Sequence, residues 1–580
     1  MRETLRTVRP YLWRYRRGLA LGAAALISRD VTAALLPLAI RGGIDSLTTG
    51  FRLESLLLFC GLLLGLAVVK GLFQYWMRVI LIGISRDIEY DLRNDFFAHL
   101  TALSPDFFAR TRTGDIMARA TNDLNAVRMM LGPGLMYTAE TSLTFLLSVA
   151  IMLSVDWPLT LVALLPAPLV SLLVMRFGRI IHARFERIQA MFSDISSRVQ
   201  ENLSGVRVVR AYVQEEAELR QFSRLNQEYL GHSLRLARTS SLFMPLLQLL
   251  IGVTFLLVLW IGGYRLLAGR LTLGSFVMFN VYLGMLIWPM VALGWVVNLV
   301  QRGSASLSRI NQILREAPSI AEPPSPRALP QPLRGEITFR GVGVEFPTGR
   351  ALHHIDLRIQ AGETVAIVGH TGCGKSTLVR LIPRLMDPTA GAVLLDGVDL
   401  RELPPSELRR QIGFVPQETF LFSATLAENI AFGVKQASQE QIRWAAELAG
   451  LAPDVAGFPE GYQTLVGERG ITLSGGQKQR TAIARAILRD PRILILDDAL
   501  SSVDTLTEER ILSGLAEVMR GRTSILISHR VSTVRQAGRI IVLDGGRIVE
   551  QGAHAELIEA GGYYAGLYQK QLLEEELEAI

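Results

Sequence analysis

The sequence has little cysteine and, within the long apolar runs of its first half, few charged residues. Only two cysteines occur among 580 residues, Cys60 in an apolar run and Cys373 in a glycine-rich segment. Because they fall in separate parts of the chain, we expect free, reduced thiols rather than a disulfide. The basic, aromatic start of the chain has no small-residue cleavage site after its apolar run. We therefore expect an uncleaved first membrane helix rather than a signal peptide.

The composition argues against a single soluble domain. A chain of 580 residues exceeds what one hydrophobic core holds, so two or more domains are expected. Hydrophobic residues make up 49% of the chain and the mean hydropathy is +0.30, which is higher than a soluble enzyme needs. The net charge of +7 comes mostly from arginine. Nucleic acid would attract such a charge, but arginine in the loops that flank membrane helices gives the same total.

Six apolar runs between residues 18 and 300 are long enough to cross a bilayer, which takes about 20 residues. Buried helices of a soluble domain fit poorly, because six such runs with so few charges would be unusual there. The residues before Arg17 predict an amphipathic helix on the membrane surface, with Tyr11, Trp13 and Tyr15 at the interface. The predicted spans are 18–40, 55–84, 135–155, 159–177, 242–267 and 276–300.

The charge of the connecting loops predicts the orientation. The connections near 46–54, at Asp156 and near 268–272 are short and poor in arginine, whereas the long segments 86–130 and 178–240 are rich in it. Because positive loops stay in the cytoplasm, both long segments and both termini are expected there. The predicted location is the cytoplasmic membrane, with helices that continue well beyond it into the cytoplasm.

Each long cytoplasmic segment contains a predicted reversal of the chain. Residues 113–119 predict a helix start, with Thr113 as the cap and Asp115 near the positive end. Residues 201–212 predict a turn followed by a short helix. Solvated helical hairpins are one interpretation, but the compact polar and apolar patterns favour docking surfaces.

The composition changes after residue 315. A proline-rich segment at 316–334 cannot be helical and predicts a linker. Strands and helices alternate from residue 335 onward, which predicts an α/β domain. The fold class is therefore a membrane all-α bundle joined to an α/β domain. The predicted domains are a membrane domain at 1–315, the linker at 316–334, the α/β domain at 335–570 and an acidic tail at 571–580.

The stretch 369–377 predicts a phosphate-binding loop, because it joins an apolar run to a helical pattern with the spacing Gly-x-x-x-x-Gly-Lys-Ser. Its glycines let successive backbone N–H groups face an anion, and the following helix adds its positive end. Lys375 is expected to reach the β- and γ-phosphates of a nucleoside triphosphate, and Ser376 to ligate Mg²⁺. The full spacing favours this over a chance turn. The loop residues are Gly369, His370, Thr371, Gly372, Cys373, Gly374, Lys375, Ser376 and Thr377.

Two further motifs narrow the class of protein. The pentapeptide Leu-Ser-Gly-Gly-Gln occupies 473–477, and an apolar strand at 493–496 ends in Asp497 and Asp498. With the phosphate loop, these motifs resemble the ABC transporter family, specifically exporter half-transporters with six membrane helices fused to one ATPase domain. The resemblance covers essentially the whole chain. It implies two ATPase domains meeting head to tail, with Ser474, Gly475, Gly476 and Gln477 of one chain covering the γ-phosphate held by the other. A helix start with two glycines suits an anion in the same way.

The resemblance also implies roles for single residues around the nucleotide. Asp497 ends a buried strand and is the expected Mg²⁺ partner, directly or through water. Gln417 matches the glutamine that senses Mg²⁺ and faces the membrane domain, and His529 matches the histidine that contacts the γ-phosphate. Phe346 stands where an adenine-stacking tyrosine is common, and stacking survives that change because any aromatic face serves.

Three further segments match family patterns. Asp504 ends Ser-Ser-Val-Asp, which matches the loop that links the two ATP sites, although the family usually has Ala-Leu where this chain has Ser-Val. Residues 465–470 match an exporter segment that contacts the cytoplasmic helix ends. The reversals at 113–119 and 201–212 match the two coupling helices that carry motion between the domains.

Position 498 departs from the family, which usually has glutamate there as the general base. The carboxylate of Asp498 is one methylene shorter, and a misplacement of about 1 Å can cost roughly a hundredfold in rate. Asp498 is either a slower base or the mark of a heterodimer. In the heterodimer, this chain's loop binds ATP but hydrolyses it poorly, while its residues 473–477 complete the competent site of a partner with glutamate. We favour the heterodimer, because only the base position is altered.

The resemblance implies an ATP-driven exporter of hydrophobic or amphipathic compounds, such as drugs or lipids, working by alternating access with ATP and Mg²⁺. The expected partners are a second half-transporter chain, membrane lipid and an amphipathic small molecule; the six spans argue against nucleic acid. Arg29 and Glu140 are expected at similar depth in the membrane, either paired or lining the substrate cavity. A homodimeric lipid flippase, a peptide exporter, a regulatory subunit and an ATP-gated channel stay open as alternatives.

Overall fold

The computed structural model describes residues 2–50, 53–347, 349–467, 470, 472–503 and 505–578. The described residues form two compact units. The first comprises Met1–Thr101 and Arg112–Glu316, and the second comprises Ala102–Thr111 and Ala317–Ile580. The segment Ala102–Thr111 lies inside the range 1–315 that the sequence assigned to the membrane domain, yet it packs with the second unit.

The first half of the chain is helical throughout. Two π-helical turns, Arg119–Asp123 and Met130–Gly134, join α5, α6 and α7 into one continuous rod. The helices are α1 Arg2–Arg14, α2 Arg16–Thr49, α3 Leu53–Ala102, α4 Pro105–Arg110, α5 Thr113–Ala118, α6 Leu124–Met129, α7 Leu135–Val155, α8 Trp157–Leu164, α9 Ala167–Ser204, α10 Val206–Ala211, α11 Glu215–Leu267 and α12 Leu273–Leu314.

Six helices of the described chain are long and apolar enough to cross a membrane, which confirms the six predicted spans. The spans are shorter than the helices that contain them. Helix α3 has 50 residues and is about 75 Å long, more than twice the roughly 30 Å of a bilayer's apolar core. The six helices are Arg16–Thr48, Leu53–Ala102, Thr113–Val155, Trp157–Ser204, Glu215–Leu267 and Leu273–Leu314.

Polar contacts hold helices of the bundle together. Tyr282 of α12 is fully buried, and its hydroxyl donates to the carbonyl of Ala34 in α2 at 2.6 Å. Asp156 accepts from the backbone N–H of Leu159 at 3.0 Å and so caps α8, and it also accepts from Arg265 of α11 at 2.7 Å. The first contact joins α12 to α2 within the bundle, and the second joins α8 to α11 at a turn of the chain.

The N-terminal helix α1 is held by α3. The Tyr11 hydroxyl donates to Asp95 at 2.6 Å, and Arg14 and Tyr15 both donate to Asp91, at 2.8 and 3.0 Å. These bonds direct the hydroxyls of Tyr11 and Tyr15 to two aspartates of α3, and their location at the membrane interface stays a prediction.

The first chain reversal lies upstream of the predicted one. Thr113 is the first residue of α5 and Arg112 occupies the N-cap, so the expected Thr113 cap is wrong. The chain turns at α4, which begins with Pro105 after Ser104 in the N-cap position. The second reversal matches the prediction, because α9 ends at Ser204 and the short α10 follows.

The second unit is an α/β domain with two sheets, as predicted. Among its described residues, a four-stranded antiparallel sheet has the order β2-β1-β4-β5, and a six-stranded sheet has the order β10-β9-β3-β8-β7-β6. The strands are β1 Ile337–Phe346, β2 Gly349–Ile359, β3 Thr364–Val368, β4 Ala390–Leu395, β5 Val398–Asp399, β6 Ile412–Val415, β7 Ile493–Asp497, β8 Thr523–Ile527, β9 Arg539–Asp544 and β10 Arg547–Gly552.

The helices of the second unit cover the larger sheet and follow its strands. The segment 316–334, which is fully described, contains neither helix nor strand. The helices are α13 Lys375–Arg380, α14 Pro405–Arg410, α15 Leu426–Ala431, α16 Gln439–Leu448, α17 Ala452–Ala456, α18 Gly475–Leu488, α19 Thr505–Met519, α20 Val531–Val534, α21 His554–Glu559 and α22 Tyr563–Glu578.

The larger sheet decides where its functional loops meet. Strands β3, β8, β7 and β6 are parallel neighbours, and β7 and β8 are buried along their whole length. Parallel strands end at the same edge, so the loops after these four strands lie side by side. That edge is the natural position for a ligand site in such a sheet.

Candidate active site

The loop between β3 and α13 needs glycine at two positions. Gly369 has a φ of +149°, and a Cβ there would lie 2.0 Å from the carbonyl oxygen of Leu543. Gly374 has a φ of +104°, and a Cβ there would lie 2.7 Å from the carbonyl oxygen of Ala351. Any other residue would clash with backbone that cannot move aside, so the loop keeps its shape only with glycine.

Lys375 places a positive charge inside this loop. Its side chain is buried, and its Nζ donates to the carbonyl oxygens of Gly369 and His370, both at 2.8 Å. A buried ammonium has to be paired or hydrogen-bonded, and here the loop backbone provides the partners. The charge is thus fixed where an anion bound by the loop's N–H groups would meet it.

A hydroxyl and a carboxylate meet beside the lysine. The Ser376 hydroxyl donates to Oδ1 of Asp497 at 2.9 Å. Asp497 is 1% exposed, and its Oδ2 is buried without a hydrogen-bond partner among the described residues. Burial raises the pKa of Asp497 and outweighs the hydrogen bond from Ser376, which lowers it. The carboxylate therefore has one oxygen with unused capacity to accept.

One cleft collects residues from five separate segments. Gln417 follows β6, and His529 follows β8. Asp497 is the last residue of β7, and Asp498 comes directly after it. All four residues therefore lie beside the phosphate loop at the same edge of the sheet. The other residues that line the cleft are Ala351, Thr371, Gly372, Gly374, Lys375, Ser376, Thr377 and Ile527.

The loop residue Cys373 lies beneath the cleft rather than in its lining. Its side chain is buried, and burial raises the pKa of the thiol. Cys60 is exposed, and both cysteines of the described chain are free, as predicted. His370 contacts the Tyr563 ring edge-on, with the ring centres 5.0 Å apart.

Asp498 has an unusual backbone conformation for a residue other than glycine. Its φ is +51°, its N–H donates to the Ile527 carbonyl at 2.9 Å, and its own carbonyl accepts from the Ser501 hydroxyl at 3.1 Å. Aspartate tolerates the left-handed region better than most residues. The hydrogen bonds hold the backbone in place, so the position of the carboxylate follows from side-chain length.

The loop that carries His529 is tied down on both sides. Arg530 donates to the carbonyl of Val503 at 2.9 Å and pairs with the buried carboxylate of Glu508. The carbonyl of His529 itself accepts from the side-chain amide of Gln571. Sequence reasoning missed Arg530, Glu508 and Gln571, because no local motif connects residues that lie so far apart in the chain.

Comparison with known proteins agrees with these observations. The family model for the ABC transporter transmembrane region matches residues 19–290, and the ABC transporter model matches residues 352–501. The chain is 38% identical over 553 residues to the probable multidrug resistance ABC transporter ATP-binding/permease protein YheI of Bacillus subtilis, covering 94% of each chain. The chain belongs to the ABC transporter family.

Other relatives cover this ABC transporter almost completely. It is 39% identical to the multidrug resistance-like ATP-binding protein MdlA of Escherichia coli, over 98% of this chain and 97% of the relative. It is 35% identical to an ATP-dependent lipid A-core flippase of Syntrophus aciditrophicus, over 99% and 95%. A solved structure of a bacterial Atm1-family ABC exporter with ATP bound superposes with a TM-score of 0.79, at 29% identity, over 96% of this chain and 99% of that one.

The family membership confirms the expected class of protein and its fold. This ABC transporter is a multi-pass membrane protein with a cytoplasmic ATPase domain, and it couples ATP hydrolysis to transport. The roles of single site residues are a separate matter, for which the geometry of the chain is the guide.

Several predicted site residues of this ABC transporter lie outside the cleft lining. Ser474 caps α18, where its Oγ accepts from the N–H of Gln477 at 3.3 Å while Oε1 of Gln477 accepts from the N–H of Ser474 at 2.9 Å. Phe346 is half-buried at the end of β1, opposite Gly349. Asp504 lies outside the described residues. The lining also lacks Gly475 and Gly476, within the described part of the chain.

Three charged residues within the membrane spans form an ion-pair cluster. Nη2 of Arg29 in α2 lies 3.0 Å from Oε1 of Glu140 in α7, and Arg29 also pairs with Asp30. The side chains of Arg29 and Glu140 are 14% and 13% exposed, so the pair is mostly shielded inside the bundle. The expected pairing is therefore present, while a role in a substrate cavity stays a prediction.

Proposed function

We propose that this ABC transporter is one half of an ATP-driven exporter that moves hydrophobic or amphipathic compounds, such as drugs or lipids, out of the cytoplasm. The observation that carries this is the cleft in which Lys375, Asp497 and His529 meet, in a chain with six membrane-spanning helices. The names of the relatives, multidrug resistance proteins and a lipid A-core flippase, support this class of substrate.

An apolar cavity in the membrane unit supports a hydrophobic substrate. It lies among α8, α9, α11 and α12, and Thr254 is the one polar residue of its described lining. Apolar walls with few polar groups suit an apolar ligand. The lining residues are Ala163, Leu164, Ala167, Val170, Leu247, Ile251, Thr254, Phe255, Leu283, Leu286, Ile287, Met290 and Val291.

The cleft suits the binding and hydrolysis of ATP. The backbone N–H groups of the loop and the ammonium of Lys375 hold the β- and γ-phosphates. His529 is in position to donate to the γ-phosphate, and Asp498 polarises the attacking water and takes its proton. Fixed positive charges that stabilise the transferred phosphoryl group supply most of the rate in this kind of chemistry.

The donor set beside the phosphate loop fits Mg²⁺. Asp497 and Ser376 offer oxygen ligands side by side, because the Ser376 hydroxyl donates to Oδ1 of Asp497 and leaves the buried Oδ2 unpaired. Gln417 lines the same cleft. Mg²⁺ prefers oxygen ligands and usually keeps several waters in such sites. The ion would neutralise charge on the phosphate oxygens.

The position of the pentapeptide supports a dimer. Ser474 to Gln477 do not line this chain's own cleft, within the described residues, so a second chain would have to present its helix α18 to the γ-phosphate. Helix α10, all of which is described, buries none of its residues. Val208 within it is 62% exposed, and Tyr212 directly after it is 73% exposed. Both features fit a chain that is completed by a partner.

The transport proposal is tested with inside-out membrane vesicles. We expect ATP-dependent accumulation of a hydrophobic fluorescent dye against its gradient, and loss of accumulation in Lys375→Ala. The control Lys435→Ala changes a lysine outside the cleft lining and should leave transport unchanged. Equilibration of the dye without accumulation would indicate a gated channel. Translocation of a fluorescent phospholipid without dye transport would favour a lipid flippase, and transport of a labelled peptide alone would favour a peptide exporter.

Asp498 supports the heterodimer. Because its backbone is fixed, the shorter side chain leaves the carboxylate about 1 Å short of the position of a glutamate, which can slow hydrolysis about a hundredfold. We expect the purified chain to hydrolyse ATP slowly, Asp498→Glu to raise kcat at least tenfold, and Asp498→Asn to abolish turnover. Full activity of the unaltered chain on its own would contradict the heterodimer and favour a homodimer. A partner chain that is stimulated by this chain without turnover at this chain's own site would indicate a regulatory subunit.

The Arg29–Glu140 pair is proposed as part of the substrate cavity. Glu140→Gln removes one negative charge and leaves the Arg29–Asp30 pair in place. We expect a changed transport affinity for cationic dyes and an unchanged one for neutral dyes, with the exposed Glu54→Gln as the control. Unchanged affinity for every dye would reduce the pair to a structural role.

A further inference from the structure

The side-chain amide of Gln571 holds the backbone around His529. Its Nε2 donates to the carbonyl oxygen of His529, and its Oε1 accepts from the N–H of Val531 at 2.7 Å. One side chain thus binds the main-chain carbonyl before Arg530 and the main-chain N–H after it. An amide offers one acceptor and two donors, so both contacts are made with the groups that it has.

The helix that carries Gln571 is firmly anchored. The first N–H groups of α22, from Tyr563 and Tyr564, donate to the Glu550 carboxylate at 2.5 and 3.1 Å. Tyr564 is fully buried in a cluster with Val531, and its hydroxyl bonds Nδ1 of His554 at 2.8 Å. Because the start of α22 is fixed, Gln571 two turns later acts from a defined position.

The same helix also contacts the phosphate loop, at a residue outside the cleft lining. The Tyr563 ring meets the His370 ring of the phosphate loop edge-on, with ring centres 5.0 Å apart. Helix α22 therefore contacts the loop that holds the phosphates and the loop that carries His529.

We propose that Gln571 is a positioning residue that sets the place of His529 at the γ-phosphate. It acts through the main chain and not through contact with ATP, so it governs turnover rather than nucleotide binding. The inference rests on the proposed function, in which His529 contacts the γ-phosphate. A group displaced by about 1 Å can lose a factor of roughly a hundred in rate, which sets the scale of the expected effect.

The first experiment measures steady-state ATP hydrolysis by the full-length chain in its membrane without a partner chain, so that all turnover comes from this chain's own site. Gln571→Met keeps the length of the side chain and removes the amide. We expect kcat to fall about tenfold to a hundredfold with KM for ATP within twofold of wild type. Gln571→Glu keeps the acceptor for Val531 and loses the donor to His529, and we expect an intermediate kcat. The matched control is Gln569→Met, an exposed glutamine on the same helix, which should behave like wild type.

The second experiment separates positioning from a general structural role. In a His529→Ala background, Gln571→Met should lower kcat no further, because the group that it positions is already absent. An equal fold-loss in both backgrounds, or loss of ATP binding by Gln571→Met, would overturn the proposal. Wild-type turnover of His529→Ala would reject the proposed role of His529 itself. Slow His529→Ala with wild-type Gln571→Met would reject only the positioning role of Gln571.

Discussion

Asp497 carries a negative charge that the folded domain stabilises poorly. Burial raises the pKa of Asp497 above its usual value, so ionisation disfavours the folded state without bound nucleotide. The penalty is absent at pH values below the pKa of the unfolded state, about 3.9, and grows as the pH rises from there through the higher pKa of the folded state. We therefore expect Asp497→Asn to raise the thermal unfolding midpoint at pH 7 without nucleotide, with the gain shrinking as the pH is lowered towards about 4.

Asp399 provides a control with the opposite sign. Burial raises the pKa of Asp399, but hydrogen bonds from the side chain and backbone of Arg401 lower it below its usual value. Its charged form therefore stabilises the fold, and Asp399→Asn should lower the midpoint at pH 7 and lose that effect in acid. A lower thermal unfolding midpoint for both variants would show that the charge of Asp497 does not destabilise the folded domain.

At the scale of residues, the sequence predicts what lies within one contiguous motif. The phosphate loop is recognisable because its glycines, Lys375 and Ser376 all serve one anion from consecutive positions. Gln571 and Glu508 escape prediction, because their roles depend on which loops the sheet brings together. Phe346 was selected by analogy alone, and the cleft lining does not include it.

At the scale of elements, the short helix α4 carries two neighbouring phenylalanines in different surroundings. Phe107 is 7% exposed and packs with the second unit, whereas Phe108 is 44% exposed. We expect Phe107→Ala to reduce the stimulation of ATP hydrolysis by transported substrate at least fivefold, because a buried aromatic contributes about 3–5 kcal/mol to packing. Basal hydrolysis should change little. The measurement is ATPase activity with and without a transported dye.

Phe108→Ala is the matched control for Phe107→Ala. The two residues are adjacent and identical in type, so a difference between them reports burial rather than composition. We expect Phe108→Ala to retain substrate stimulation. An equal loss of substrate stimulation in both variants would mean that the overall apolar character of α4 matters, and not the packing of Phe107.

The first reversal shows why local signals can mislead. Thr113, Gly114 and Asp115 resemble a helix start, but Ser104 followed by Pro105 satisfies the same preferences eight residues earlier. Both places begin a helix in the structure, and only packing decides which one turns away from the long helices. The reversal at 201–212 was predicted correctly because Gly205 breaks the helix there.

At the scale of the whole molecule, the predicted orientation is open to a labelling test. The test introduces a single cysteine, Arg270→Cys or Val213→Cys, into a chain whose two cysteines are changed to serine. Arg270 lies in a short arginine-poor connection, Val213 lies beside α10, and both residues are exposed. We expect a membrane-impermeant maleimide to label Arg270→Cys in intact cells or spheroplasts. Val213→Cys should be labelled only after the membrane is opened.

The labelling test has an internal check. Both variants should be labelled to the same extent in detergent, where neither side of the membrane is protected. Labelling of Val213→Cys in intact cells would reverse the orientation inferred from the arginine-rich segments. Such a result would also conflict with a cytoplasmic ATPase domain.

The architecture was predictable at this scale because it rests on simple physical requirements. A membrane span needs a long apolar helix, and a phosphate loop needs a strand before it and a helix after it. Both requirements appear in consecutive residues. The membership of Ala102–Thr111 in the second unit has no such local signal, since it depends on packing between distant parts of the chain.

That shared unit has a consequence for inheritance. Residues 102–111 and 317–580 are far apart in the gene, but they pack in one unit, so a substitution in one segment alters the packing of the other. Natural recombination, or a laboratory hybrid, that exchanges only the DNA after codon 316 would combine residues 102–111 of one protein with residues 317–580 of another. Such a hybrid should regain its function by also exchanging codons 102–111. The heritable module of this protein is therefore discontinuous, and its borders do not coincide with one cut in the gene.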